Sequence, residues 1–373
     1  MQIADFALER YFARWEFAVR YVLCASDVEG MPMAELLAMA DDETRALWSN
    51  LRLGYTESTG HPLLRAEIAE LYEHAGPDEV LVFSGAEEAI FCLINVALKA
   101  GDHAVVTWPG YQSLYEVARA AGAEVTLHEL HEADRWSLDV ERLIAELRPE
   151  TRLVVINAPH NPTGMLPTHA EWARLTDELA DRKIPLLSDE VYRFLERAEG
   201  DGLLPGADAY PQGISLGVMS KSFAMAGLRI GWLATRDRDL LARCAALKDY
   251  TTICASAPSE ILALIGLRAR DRVLPRSRRI VADNLELLDD FFRRRSAWFS
   301  WVPPRAGSVA FPRLLADKPI DEFAAGLVEA EGVLLLPASQ FGHPGNHFRI
   351  GFGRENLPEA LARLDAYAER TLA

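Results

Sequence analysis

The chain has 373 residues, enough for one large domain and a smaller one. Half of its residues are hydrophobic, which excludes global disorder, and a formal net charge of −16 argues against a nucleic-acid partner, since phosphate binding needs basic surface. Cys24, Cys92, Cys244 and Cys254 form no CxxC pair, and the N-terminus shows neither a signal peptide nor a transmembrane stretch, so no membrane partner and a cytoplasmic location are expected.

The N-terminal stretch Leu8 to Val22 has helical spacing and is rich in aromatics, so it is expected to pack on a smaller unit or across a dimer interface. Apolar runs follow at Val80 to Phe83, Ala104 to Thr107, Leu153 to Asn157, Pro185 to Ser188, Ile214 to Met219 and Gly231 to Ala234, each reading as a buried strand. Between most of them lie amphipathic stretches of helical period: Ala86 to Lys99, Tyr111 to Ala121 and Leu138 to Leu147. Strands alternating with helices predict an α/β domain with a largely parallel sheet. After about Pro258 a long helical segment runs toward Arg295, broken near Pro275. Beyond it, Ser308 to Phe311, Gly332 to Leu336 and His347 to Phe352 read as strands of a smaller α+β unit, closed by a helix from Leu357. The chain thus divides into an N-terminal segment (1–45) that belongs with the small unit or a dimer interface, a large domain (46–257), and a linking helix with a C-terminal small domain (258–373).

In a parallel sheet, ligands gather at the carboxyl ends of strands, and the chemically unusual residues here follow strand-like runs. Ser84-Gly85-Ala86-Glu87 opens a helix, so its free backbone N–H groups suit a phosphate. In Asn157-Ala158-Pro159-His160-Asn161-Pro162-Thr163-Gly164, two prolines and a glycine fix a loop that presents Asn161 as a hydrogen-bond donor. Asp189, in Ser188-Asp189-Glu190-Val191-Tyr192, would stay charged at a buried strand end only beside a cation. Lys221, in Ser220-Lys221-Ser222, lies between two apolar runs; burial lowers its pKa and makes it a better nucleophile toward carbonyls. Arg229, eight residues on, supplies an anion clamp. An imine-forming lysine, an aspartate for a protonated pyridine nitrogen, asparagine and tyrosine for a ring hydroxyl, and arginine with a helix N-terminus for phosphate together describe a pyridoxal 5′-phosphate site. His128-x-x-His131 and His343-x-x-x-His347 lack a supporting acid or cysteine set; no metal is expected, and they read as surface histidines.

On these motifs, in their order and spacing, the chain resembles the class I/II aminotransferases, the fold-type-I pyridoxal-phosphate family, over nearly its full length. The resemblance implies a large domain with a mainly parallel seven-stranded sheet between helices, plus a smaller α+β domain. It implies that Lys221 forms the Schiff base, that Asp189 pairs with the pyridine nitrogen and that Asn161 and Tyr192 contact the ring oxygen. Arg229, Ser220 and the backbone of Gly85, Ala86 and Glu87 would bind phosphate. Tyr111, in Trp108-Pro109-Gly110-Tyr111, matches the aromatic that stacks on the ring. Tyr55, in Gly54-Tyr55-Thr56-Glu57-Ser58-Thr59-Gly60, matches the tyrosine that reaches the neighbouring subunit's phosphate, which implies a homodimer. Arg349, in Phe348-Arg349-Ile350-Gly351-Phe352, matches the arginine that grips the substrate α-carboxylate in a bidentate fork. The implied activity moves an amino group from an amino acid to a keto acid, with Lys221 as the base at Cα.

Two departures stand out. Leu23-Cys24-Ala25-Ser26-Asp27 occupies the place of a glycine-rich G-x-P loop, and Val218 the place of a phosphate-binding serine. A weaker resemblance, carried by Leu8-Glu9-Arg10-Tyr11 and Ala25-Ser26-Asp27, is to the branch of capreomycidine synthase and related cyclases of hydroxylated arginine. It implies elimination and ring closure instead, with Glu9 and Ser26 on a guanidinium. A non-catalytic module, such as a regulator's effector domain, would need a DNA-binding segment that this acidic sequence does not show.

Overall fold

The computed structural model describes residues 2–373. Seven strands, β1 (Val80–Phe83), β2 (His103–Trp108), β3 (Glu124–Glu129), β4 (Thr151–Asn157), β5 (Leu186–Asp189), β6 (Gly213–Val218) and β7 (Gly231–Ala234), form one sheet in the order β1-β7-β6-β5-β4-β2-β3. Strands β2 to β6 run parallel to their neighbours among themselves, whereas β7 is antiparallel to both β6 and β1. Alternate residues serve opposite layers. Ala104, Val106, Leu153 and Val155 pack with Ile90, Leu93 and Leu114, while Val105, Val154 and Ile156 pack with Leu143, Leu175 and Leu179. Burial on both faces explains why these strands read as unbroken apolar runs.

Reversing β7 has a geometric result. The carboxyl ends of β1, β5 and β6 and the start of β7 all reach the same edge of the sheet. Residues 84–87, 189–192 and the excursion 219–230 therefore converge there.

The second unit is built on short strands: β8 (Phe299–Ser300), β9 (Val309–Ala310), β10 (Arg313–Leu314), β11 (Leu336–Pro337) and β12 (Phe348–Gly351). β11, β12 and β9 form a three-stranded antiparallel sheet, and β10 pairs with β8. The helix Leu357–Leu372 covers this unit with Leu361, Leu364 and Tyr367. No helix among the described residues is long and apolar enough to cross a membrane.

Four expectations need correction. The N-terminal helix spans only Ala7–Trp15; the chain then turns so that Tyr21 N–H donates to Gly332 O, Tyr21 O accepts from Leu334 and Leu23 O accepts from Gly351. Backbone pairing with the second unit overrides helical spacing there. The long helical segment breaks at Ala269, between helices Ala257–Arg268 and Arg270–Arg294, and runs through Pro275 without interruption. Pro275 sits in the second turn, where it removes one hydrogen bond, and the buried stripe Ile280, Val281, Leu285 and Leu288 holds the rest. Strand β3 had no counterpart in the apolar runs. Finally, of the four histidines expected at the surface only His131 is exposed. His128 is fully buried against Glu146, 2.8 Å from Nδ1, and His347 packs on Phe311 with Nε2 3.2 Å from Glu132. Burial pushes both below the usual histidine range, His347 to about 4. Among the described residues, no cluster of three or more His, Cys, Asp or Glu is arranged to hold a metal.

Candidate active site

The edge where the strand ends converge frames a cavity of about 420 Å³. Ala86, Glu87, Tyr111, Asn161, Asp189, Tyr192, Ser220, Lys221 and Arg229 line it from the large sheet, and Arg349 from β12. Glu9, Ser26 and Asp27 come from the N-terminal segment.

Lys221 follows β6 in a turn closed by the bond from Ala224 N–H to Lys221 O. Its Nζ donates to Ser26 Oγ at 2.8 Å and lies 5.7 Å from the centre of the Tyr192 ring. Burial lowers its pKa from 10.5 to about 8; Asp27 and Asp189 oppose that shift, and Arg349 and Arg229 add to it. Asp189 ends β5, almost wholly buried, with Val191 N–H 3.3 Å from Oδ1 and, among the described residues, no cationic side chain bonded to it. Burial raises it from 3.8 to about 7. Such a carboxyl becomes a stable anion only when a cation arrives. Burial likewise pushes the Tyr192 phenol up to about 12.

Arg349 is 1% exposed. Its Nε donates to Cys24 O at 3.1 Å and Nη1 to Asn161 Oδ1 at 3.0 Å, which leaves guanidinium donors for an incoming anion. Asn161 is held in turn, its N–H donating to Asn157 Oδ1 at 2.7 Å, while Asn157 Nδ2 donates to Asp189 O at 3.0 Å. Asparagine and arginine are thus one hydrogen-bonded unit, with Asn161 Nδ2 uncommitted.

Gly85 precedes the helix Ala86–Ala97 at φ +91°, and a Cβ there would lie 2.5 Å from an Arg229 nitrogen. A Cβ on Gly231 would lie 2.7 Å from Ala86 N. Two glycines therefore keep the helix N-terminus, the turn carrying Arg229 and the start of β7 in close approach. This cradle of N–H groups and one guanidinium suits an anion. Tyr111 flanks it, tilted against Phe6 with ring centres 5.1 Å apart.

Tyr55 stands apart. It is 91% exposed and lines a separate surface groove with Arg52, His61 and Glu260. Conversely, Phe12 and Glu16 line the cavity although the sequence motifs passed over them. Their signal is the spacing 9, 12, 16, which places Glu9, Phe12 and Glu16 on one helical face. Burial, then Asp27 and Glu9, raises the Glu16 pKa. Asp27 Oδ1 and Oδ2 accept from Arg354 Nη2 at 3.0 and 2.9 Å. The N-terminal segment thus lines the cavity with the carboxyl groups of Glu9, Glu16 and Asp27, the last already paired to Arg354.

The family model for aminotransferase class I and II matches residues 21–364. A capreomycidine synthase of Streptomyces vinaceus is 29% identical over 97% of this chain and 92% of its own. A pyridoxal-phosphate-dependent aminotransferase from Streptococcus suis has a similar structure, with TM-score 0.92 and 28% identity over 99% of both chains. So does the pyridoxal-phosphate-dependent cyclase OrfR, with TM-score 0.91 and 28% identity over 99% of this chain and 98% of that one.

Proposed function

The chain belongs to the class I and II aminotransferase family, whose enzymes depend on pyridoxal phosphate, and from that premise we propose how its own residues divide the work. The observation that carries the reading is that Lys221, Asp189 and Arg349 face one cavity, with the glycine cradle at its end. When bound, pyridoxal phosphate supplies an aldehyde for exchange with amines and a ring that accepts electrons. The Gly85, Ala86 and Glu87 N–H groups, Ser220 and Arg229 would hold its phosphate, Tyr111 would flank the ring, and Asn161 and Tyr192 would supply hydrogen bonds to the ring oxygen. Asp189, buried and short of a cation, would favour a proton on the pyridine nitrogen. Arg349 binds the substrate α-carboxylate in a fork and so orients Cα. Lys221, with a pKa of about 8, would anchor the cofactor covalently, and its amine, when free, would serve as the base for the Cα proton. Domain boundaries near 45 and 257, a cytoplasmic homodimer and a role for Tyr55 in the partner's site complete the reading.

The reaction is transfer of an amino group from an amino acid to a keto acid. A second outcome, elimination and ring closure on a hydroxylated arginine, is favoured by one feature: Glu9 and Glu16 line the cavity with carboxyl groups suited to a guanidinium, and Ser26, on the same wall, is bonded to Lys221. Incubation with an amino-acid panel that includes hydroxylated arginines, followed by mass spectrometry, separates the two. A keto acid and an aminated cofactor mark transamination; loss of water with the cofactor recovered as aldehyde marks cyclisation. No turnover of any amino acid by cofactor-loaded enzyme would sink both.

A further inference from the structure

The segment 23–29, where the sequence departs from a glycine-rich loop, is pinned to the second unit along most of its length. Leu23 O accepts from Gly351 N–H and Glu29 N–H donates to Gly353 O, both at 2.7 Å. A Cβ on Gly351 would overlap Ala25 O, and one on Gly353 would overlap Asp27 O, so both glycines permit the close approach. Asp27 is gripped by Arg354, and Ser26 O accepts from the fully buried Ser308 Oγ at 2.7 Å. What this segment holds out to the cavity is the Ser26 hydroxyl. It lies 2.8 Å from Lys221 Nζ and, among the described residues, is the one hydrogen-bond partner of that amine. Two residues earlier, Cys24 O accepts from Arg349 Nε at 3.1 Å. The guanidinium proposed for the substrate carboxylate and the amine proposed for the Cα proton are thus set against the same short stretch of backbone.

We propose that Ser26 is a positioning residue for Lys221, its Oγ accepting a hydrogen from Nζ and accepting it more strongly once Nζ has taken the Cα proton. The proposal rests on the reading of this cavity as the pyridoxal-phosphate site. In that step the Cα–H bond breaks and its electron pair stays with the substrate, while a new N–H bond turns the amine into an ammonium. A hydrogen bond donated by an ammonium is stronger than one donated by a neutral amine. Ser26 therefore stabilises the state after proton transfer more than the state before it, which raises a rate rather than an affinity. The effect does not depend on the substrate's side chain, unlike a contact with a guanidinium. The charged and titratable groups facing Nζ are Glu16 and Asp27 of the N-terminal segment, Asp189 on β5, Tyr192 just after it, Arg229 before β7 and Arg349 on β12. None of these supplies that bond.

The test uses full-length wild type, Ser26→Ala and Ser26→Thr. Loaded with pyridoxal phosphate, each is given L-alanine or L-arginine in deuterated water, and loss of the Cα proton signal is followed by NMR. Ser26→Ala should exchange both amino acids about tenfold more slowly at saturation, with the half-saturating concentration unchanged. Without cofactor, its trapping of pyridoxal on Lys221 by borohydride should reach its midpoint about one pH unit below wild type, because losing the acceptor favours the neutral amine. Ser26→Thr keeps the oxygen and should match wild type in both measurements. An unmoved midpoint in Ser26→Ala would overturn the proposal, as would a midpoint equally displaced in Ser26→Thr. So would slowing confined to arginine with a raised half-saturating concentration, which would put Ser26 on the substrate's side chain instead. Should neither amino acid exchange in wild type, the midpoint alone decides. Pyridoxal fixed on Lys221 with an unmoved midpoint sinks the role of Ser26 alone, whereas no fixation on Lys221 in wild type sinks the site reading with it.

Discussion

Lys221 and Arg349 share a cavity, and their chemistry predicts different defects. Lys221→Ala should leave no cofactor that borohydride can fix to the protein; cofactor fixed elsewhere in the chain at wild-type yield would refute the anchor. In cofactor-free wild type, trapping of pyridoxal on Lys221 should rise with pH through a midpoint near 8 rather than 10.5, because only the neutral amine attacks. Arg349→Lys removes the fork while keeping the charge, so KM for amino acids should rise by roughly 10- to 100-fold, the worth of one charged hydrogen bond, with cofactor retention unchanged. An unaltered KM would remove Arg349 from the substrate site. Lys221, Asp189 and Asn161 were legible in the sequence because each follows an apolar strand run directly, so short-range pattern places it. Glu16 was not: it had only its 9, 12, 16 spacing with Glu9 and Phe12, a helical pattern attached to no motif, and it caps the observed helix with its N–H bonded to Phe12 O.

At the scale of elements, the contact between the helix Ala86–Ala97 and the turn 226–229 hangs on Gly85. Gly85→Ala should weaken cofactor binding at least tenfold, since a Cβ meets Arg229 2.5 Å away and strains a φ of +91°. The second-unit core, built on residues such as Phe299, Phe323 and Leu364, should be untouched, so near-ultraviolet circular dichroism of the cofactor-free protein should match wild type. Central strands were legible where both faces are buried. Strand β3 was not, since as an edge strand with sequence Glu-Val-Thr-Leu-His-Glu it buries little beyond His128 and offers no apolar run. The helix break at Ala269 was hidden for a related reason. Proline is the visible breaker in sequence, but the change of direction follows packing of the almost wholly buried helix Ala257–Arg268 against its neighbours.

For the whole molecule, Asp189 couples protonation to stability. Its folded pKa of about 7 exceeds the ordinary 3.8, so the folded cofactor-free protein holds a proton that the unfolded chain has lost. Stability from this group should therefore fall as pH rises from about 4 to about 7 and stay flat above. Asp189→Asn should abolish that slope in the thermal midpoint of the cofactor-free protein; an identical slope would deny Asp189 its buried state. The surface near Tyr55 carries a second expectation. Leu53, Tyr55 and Tyr250 are each about nine-tenths exposed, and Lys248 ties their two segments by donating to Ser58 O and Ile253 O. Leu53→Glu with Tyr250→Glu should give a monomer with weakened cofactor binding; a variant that stays dimeric would place the interface elsewhere.

The reversed strand β7 has one more consequence. Lys221 and Arg229 belong to a single excursion between adjacent strands, and Asp189 ends the next strand over, whereas Arg349 and Ser26 belong to the other unit and the N-terminal segment. On the proposed reading, the groups that hold the cofactor and those that hold the substrate come from separate parts of the chain, so substitutions in the N-terminal segment or β12 should change substrate choice or turnover while leaving cofactor retention intact.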